Sequence, residues 1–325
     1  MKPSDRTPST ASQNGAVPKT ATTRLKLRTP PSRKQLWMAA IKPPMYSVAM
    51  MPIGWGSAIA YYERLDHQSF NWPIFLTFMG AAILILAWEN LANDAFDAET
   101  GIDANKLHSV VNLTGNRLLV LWLANGCLVL GLVGIGAIAF WQQDITVLWL
   151  IAACCALGYL YQGPPFRLGY QGLGEILCFF AFGPLAVSAA YYSQTQTFSL
   201  SSIIASVALG LTTSLVLFCS HFHQVDDDIA AGKRSPIVRL GTRRGAQLLP
   251  WVCGTVYGVI VLLILTGLAP WWSALSIAGV PAAIRLCRHV GKYHNQPERV
   301  MNCKFIAIAL HFWSGLWFGL GYVLA

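Results

Sequence analysis

Two acidic stretches hold the side chains with chemistry to offer. The first runs from Asn90 to Asp103, N-L-A-N-D-A-F-D-A-E-T-G-I-D, directly after an apolar run from Trp72 to Trp88. It contains four acids in a chain that is only 11% charged. A carboxylate within lipid costs about 2.5–3.5 kcal/mol at a helix centre, so acids that abut an apolar run are functional candidates by default. On a helix, Asn90 pairs with Asp94 and Asn93 with Asp97 at i,i+4, while Asp94 and Asp97 are i,i+3, so their oxygens are expected to converge on one face. Oxygen donors without sulfur or imidazole suit a hard divalent cation.

The second stretch is His221 to Arg234, H-F-H-Q-V-D-D-D-I-A-A-G-K-R, at the end of another apolar run. The pattern Asn93-x3-Asp97-x3-Gly101 recurs as Gln224-x3-Asp228-x3-Gly232, 131 residues later. An amide, an Asp and a Gly at a four-residue period suggest one helix end used twice, with the Gly just past the helix. Two such ends facing each other, ringed by Lys and Arg, make a site for a polyanion with divalent cations. Mg²⁺ prefers one or two carboxylates plus phosphate oxygens, and Lys233, Arg234 and Arg239 would clamp those oxygens. A solvated loop with ordinary charge pairs accounts for Glu99 and Asp103. It accounts poorly for Asp94, Asp97 and the run Asp226 to Asp228. For His221 and His223, a metal contact, a hydrogen bond to substrate and a structural bond at the helix end all stay open. No His/Cys set matches a zinc site.

A third stretch, Tyr161 to Glu175, is rich in Gly and Pro and reads as a tight loop. Tyr161, Arg167, Tyr170 and Glu175 are candidates for a polar gate beside the site. Interfacial anchoring is the alternative for the tyrosines, and helix-dipole pairing for Glu175.

The elements that must carry these residues are membrane helices. The 325 residues are 54% apolar with a mean hydropathy of +0.48, too hydrophobic for an ordinary soluble domain. Nine spans are expected, near 42–62, 73–93, 117–140, 146–162, 171–193, 201–223, 246–268, 270–288 and 303–324. The fold class is therefore all-α and integral to the membrane, a nine-helix domain over 35–325 behind a disordered basic tail over 1–34. That tail holds eight Lys/Arg against one Asp, so little of the net charge of +9 belongs to the rest of the chain. A basic nucleic-acid face is excluded. All Lys and Arg except Arg64 fall on one side of the nine-span topology, which puts the N-terminus in the cytoplasm and the C-terminus opposite. The eight cysteines lie in or beside apolar runs without a C-x-x-C pair, and read as small buried hydrophobes.

With both acidic stretches in place, the pattern resembles the UbiA superfamily of intramembrane prenyltransferases, over about 42–325. The first motif, Asn90-x2-Asn-Asp94-x2-Asp97 followed by Gly101-x-Asp103, is similar to the N-D-x-x-D-x-x-x-G-x-D form of the MenA branch. The second resembles D-x-x-x-D-x-x-x-G-K-R-T with Gln224 in place of its first Asp, and its run looks most like the branch of photosynthetic organisms. The resemblance implies a UbiA-type bundle in the plasma (inner) or thylakoid membrane. It implies Mg²⁺ held by Asn90, Asp94, Asp97 and Asp227 or Asp228, with Asp94, Asp97, Asp228 and Lys233 as the catalytic set. Diphosphate contacts fall to Asn93, Arg117, Lys233, Arg234 and Arg239. The acceptor or its gate falls to Tyr161, Arg167, Tyr170, Glu175, His221 and Gln224. The implied donor is phytyl or polyprenyl diphosphate. The implied acceptor is 1,4-dihydroxy-2-naphthoate, which loses its carboxylate on the way to phylloquinone. A menaquinone-type polyprenyl donor, a homogentisate or chlorophyllide acceptor, and a cation-coupled transporter are the rival expectations.

Overall fold

The computed structural model describes residues 32–64, 70–102 and 108–325. The expected tail, save Ser32 to Lys34, lies outside these, as do Asp103 and Lys106. Among the described residues all regular structure is helical. A lead-in helix, α1 (Arg33–Ile41), precedes α2 (Tyr46–Glu63), α3 (Trp72–Thr100), the single-turn α4 (Val110–Thr114), α5 (Arg117–Gln142) and α6 (Thr146–Gln162). Next, α7 (Gly174–Phe180) passes through a π turn at Ala181–Leu185 into α8 (Ala186–Thr195). Then come α9 (Leu200–Ser220), two short helices α10 (Val225–Ala230) and α11 (Pro236–Leu240), and α12 (Thr242–Leu265). A 3₁₀ run, Trp271–Gly279, feeds α13 (Val280–Tyr293), and α14 (Pro297–Val300) precedes the last helix, α15 (Cys303–Val323).

Local sequence explains the boundaries. The Asn71 side chain accepts from the Ile74 N–H at 3.1 Å, with Pro73 in the first turn of α3. Asn116 does the same for Leu119 at 3.0 Å at the start of α5. α3 stops at Gly101, whose φ of 78° and N–H to the Asp97 carbonyl make the expected glycine stop.

Six segments are long and apolar enough to cross a membrane: Trp72–Thr100, Arg117–Gln142, Gly174–Thr195, Leu200–His223, Thr242–Leu265 and Pro297–Val323. The other three expected spans are helical but fall short of that measure. α6 has 17 residues, α2 carries Pro52 and polar positions within its 18, and 271–293 begins as 3₁₀ and carries Arg285, Arg288 and Lys292. The exterior is apolar, with Trp122, Phe140, Trp149 and Trp251 outward and exposed, as lipid requires. Helices approach closely at small residues. A Cβ on Gly56 of α2 would stand 2.4 Å from the Val187 carbonyl oxygen of α8, and one on Gly183 2.8 Å from that of Ser206 in α9.

The length of α3 positions the site. Its 29 residues make about 43 Å of helix against a hydrocarbon core of about 30 Å. Its last two turns carry the acids. At its opposite end the acids are fully partnered: Glu63 accepts from Tyr191, Ser199 and Ser201, and Asp144 from Tyr192 and Thr146. Those two are structural. All eight cysteines are free thiols, none of them fully exposed.

Candidate active site

The first motif stays on one continuous helix. Asp94 is buried; its Oδ2 accepts from the Val110 N–H at 2.9 Å and its Oδ1 lies 3.5 Å from Lys42 Nζ. It thus anchors the start of α4 and the turn that follows α1. Asp97 looks elsewhere: its Oδ1 accepts from the Tyr170 hydroxyl at 3.1 Å, and that hydroxyl is 2.7 Å from Thr100 Oγ1. Burial, then the charge of Asp97, push the Tyr170 phenol well above its ordinary pKa, so it remains a neutral donor. The two carboxylates thus have different partners, Val110 and Lys42 for Asp94 and Tyr170 for Asp97. Among the described residues no three His, Cys, Asp or Glu side chains stand together as a ready-made metal cage.

Glu99 has a role that its spacing did not reveal. Its Oε2 lies 2.9 Å from Arg167 Nη2 and 3.4 Å from Arg117 Nη2. Arg117 also donates through Nε to the Ala95 carbonyl at 3.1 Å. The candidate gate arginine and the candidate phosphate arginine are thus tied together at one exposed acid.

The second motif does not continue its membrane helix, as the sequence pattern had led us to expect. α9 ends at Ser220, a 3₁₀ turn spans His221–His223, and Gln224, at φ −111° and ψ 13°, breaks the ladder before α10 begins. On this separate short helix Asp228 is fully buried, whereas Asp226 and Asp227 are exposed. Asp228 Oδ2 is 3.1 Å from His221 Nδ1, and its Oδ1 lies 3.5 Å from Lys233 Nζ without a hydrogen bond. His221 Nε2 lies 3.5 Å from Glu175 Oε1. The result is a line of groups, Glu175, His221, Asp228 and Lys233, drawn from three separate segments. Burial acts to raise the Asp228 carboxyl, but the His221 hydrogen bond and the Lys233 charge together outweigh it and hold the group below its ordinary value. Gly232, at φ 72°, turns the chain so that the Lys233 N–H reaches the Asp228 carbonyl at 2.7 Å.

Tyr170 joins the two halves. Its hydroxyl holds Asp97, its carbonyl accepts from the Arg234 N–H at 2.7 Å, and Lys233 Nζ lies 5.7 Å from its ring centroid. Arg239 braces the same junction, donating to the carbonyls of Gln171 and Arg234. Its guanidinium is therefore a strut between loops, where sequence had assigned it to phosphate. Gly172 is obligatory here: at φ 78° its missing Cβ would stand 2.4 Å from the Arg234 carbonyl oxygen. The Tyr161 ring packs on Gly169 and Gly174, within reach of the charges of Asp97, Glu175 and Asp228. Asn93 precedes Asp97 by one turn of α3, Asn90 has a buried Nδ2 without a hydrogen-bond partner among the described residues, and the Gln224 carbonyl accepts from the Asp228 N–H.

Three carboxylates belong to this junction, Asp97, Glu175 and Asp228, against the ammonium group of Lys233, while Asp94 and Lys42 pair with each other beside α4. A diphosphate ester would add several more negative charges. Its binding there calls for cations. The donors present are hard oxygens, and the buried Asp228 Oδ1 has coordination capacity free of hydrogen bonds. That set fits Mg²⁺, which keeps one or two carboxylates and takes the rest of its shell from phosphate and water.

Comparison with known proteins accords with this geometry. The profile of the UbiA prenyltransferase family matches residues 49–318. The chain is 54% identical over 294 residues to a 2-carboxy-1,4-naphthoquinone phytyltransferase of a Synechocystis species, covering 90% of this chain and 95% of that protein. It is 41% identical over 303 residues to the chloroplastic 2-carboxy-1,4-naphthoquinone phytyltransferase of Arabidopsis thaliana, covering 91% and 78%. A solved structure of a UbiA homologue from Archaeoglobus fulgidus, bound to GPP and Mg²⁺, superposes with a TM-score of 0.58 at 16% identity, covering 86% of this chain and 98% of that one. Profile, relatives and fold agree: this multi-pass membrane protein belongs to the UbiA prenyltransferase family.

Proposed function

We propose that the protein transfers a phytyl group from its diphosphate to 1,4-dihydroxy-2-naphthoate with loss of CO₂, the step that commits the ring to phylloquinone. The observation that carries this reading is the join between the two acidic motifs, Asp97 to Tyr170 to Lys233 to Asp228, in a chain 54% identical to a protein that bears that activity in its name.

The mechanism follows from charge. Asp97 and Asp228, with Asp94, Asn90 and Asn93 beside them, would hold Mg²⁺ against the diphosphate, and the GPP and Mg²⁺ bound to the archaeal homologue support this. The metal, when bound, offsets the charge of the leaving group. Lys233 and Arg234 contact the phosphate oxygens directly, and Tyr170 keeps Asp97 oriented as a neutral donor. Breaking the C–O bond leaves an allyl cation, which the electron-rich ring attacks through carbon. The electron pair of the ring–carboxylate bond then restores aromaticity and CO₂ departs, so no net proton changes hands. Donor tail and product are both lipid-soluble, which accounts for a site at the end of an apolar bundle. We further propose nine membrane-crossing helices over 35–325, with the site and the basic tail on the cytoplasmic side of a plasma or thylakoid membrane.

The test is an assay in detergent with dihydroxynaphthoate and a panel of prenyl diphosphates, with and without Mg²⁺. Phytyl diphosphate should be used best, with one CO₂ released per transfer and no turnover in chelator. Preference for an all-trans polyprenyl donor would move the reading to a menaquinone-type reaction, and cation flux in liposomes without transfer would overturn it.

A further inference from the structure

Another carboxyl lies deeper in the bundle, and the chemistry at the membrane face does not use it. Glu89 precedes Asp97 by eight residues on α3, about 12 Å along the axis. Glu89, Asn93 and Asp97 follow one another at four-residue intervals and share a helix face. Among the described residues the half-buried Glu89 carboxyl has no hydrogen-bond or ion-pair partner. Gly158 of α6 makes room for it: a Cβ there would stand 2.6 Å from Glu89 Oε1.

Glu89 also lines an apolar pocket. The walls include Ile53, Phe78, Ile85, Trp88 and, from the π turn, Phe182; Glu89 is the one carboxyl among its described lining residues. A half-buried carboxyl that faces apolar walls without a donor is costly, and a hydrocarbon tail has no donor to offer it. An aromatic acceptor with ring hydroxyls does. The separation of about 12 Å also matches a diphosphate and a bicyclic ring laid end to end.

We propose that Glu89 accepts a hydrogen bond from a ring hydroxyl of the aromatic acceptor, fixing which ring carbon faces the allyl cation. This rests on the dihydroxynaphthoate reading above. The bond also raises electron density on that oxygen and so on the attacking carbon. In the step itself the ring-to-prenyl C–C bond forms as the prenyl C–O bond breaks, and the ring–carboxylate electron pair returns to the ring as CO₂ leaves. Glu89 carries no extra proton at the end.

Glu89→Gln, Glu89→Leu and Gly158→Ala in the full-length protein test this. The first keeps an acceptor oxygen, the second removes it, and the third displaces an intact carboxyl. Steady-state kinetics with 1,4-dihydroxy-2-naphthoate are paired with competition by 1-hydroxy-2-naphthoate, which lacks one hydroxyl. Glu89→Leu should lower kcat/KM for the acceptor about tenfold or more and leave the donor KM within about twofold. It should also erase the preference for the dihydroxy over the monohydroxy acid. Glu89→Gln should fall between, and Gly158→Ala should raise the acceptor KM. An unchanged dihydroxy preference in Glu89→Leu, or a rise in donor KM alone, overturns the role of Glu89 while the wild-type activity stands. A wild-type protein that ignores dihydroxynaphthoate overturns the substrate reading and this one with it.

Discussion

Replacing Asp228 by Asn isolates the charge at the centre of the second motif. The amide keeps the size of the carboxylate and can still accept from His221 Nδ1, which lies 3.1 Å away. It loses the attraction to Lys233 Nζ at 3.5 Å, a gross Coulomb term of about 5 kcal/mol at an effective dielectric near 20. Desolvation of both groups offsets most of that, so the net loss of stability is about 1–3 kcal/mol. The protein should still fold and insert. The effect on transfer is larger. Removing one preorganised group from the set that stabilises a departing charge costs roughly 2.7–4 kcal/mol, or 10²–10³ in turnover. If Asp228 also holds the cation, the Mg²⁺ concentration at half-maximal rate should rise as well. The assay is phytyl transfer in detergent across a Mg²⁺ titration, beside the thermal midpoint of the same preparation. Turnover within about threefold of wild type, with an unchanged Mg²⁺ dependence, would refute the assignment of Asp228.

Other perturbations probe the same frame. The folded-state pKa of Asp228 is depressed, so the stability it contributes is fully present above its unfolded value of about 3.9 and is lost as pH falls through the folded value. The difference in thermal midpoint between wild type and Asp228→Asn should hold constant from pH 8 to about 5 and shrink below about 4. Tyr170→Phe removes the donor to Asp97 and should lower kcat about tenfold, a loss of about 1.4 kcal/mol, with little change in acceptor KM. Gly172→Ala must displace the Arg234 carbonyl, 2.4 Å from the new Cβ, and should cut both the thermal midpoint and the donor affinity; a stable, active variant would refute the tight junction. Glu99→Gln releases Arg117 and Arg167 and should raise the donor KM several-fold if those arginines are held in place for phosphate.

Much of the scaffold was legible because hydropathy and stop signals are local. The apolar run before Asn90 gave α3, and Gly101 marked its end as the repeat required. The shared Gly232 likewise turned out to have a positive φ. What the repeat could not show was that Asp228 sits on its own short helix, because the break at Gln224 leaves the amide–Asp–Gly spacing intact. Partnerships across the chain were equally hidden. Glu99 meets Arg167 across 68 residues, and Asp97 meets Tyr170 across 73. Lys42, just past α1, meets Asp94 of α3 from a separate part of the chain. Glu89 escaped notice because it sits within a greasy run, where a lone acid is easily attributed to the motif that follows it.

The ion pairs explain how a crowded acidic site can take a polyanion. Five cations near it already have a protein partner: Lys42 on Asp94, Lys233 on Asp228, Arg117 and Arg167 on Glu99, and Arg239 on carbonyls. The lysine pairs are loose, both at 3.5 Å, longer than a charge-assisted hydrogen bond of about 2.8 Å. A phosphate oxygen that offers a shorter bond can draw Lys233 from Asp228. The carboxylate so released would then be available to hold a divalent cation beside the same diphosphate. Donor and metal therefore favour each other's binding: each removes the competitor that the other faces. The apparent donor affinity should fall steeply as Mg²⁺ is lowered in the wild type. In a Lys233→Ala variant, where Asp228 has no ammonium to surrender, that dependence should be shallower even though overall affinity is weaker. Equal steepness in the two proteins would show that the exchange at Lys233 plays no part.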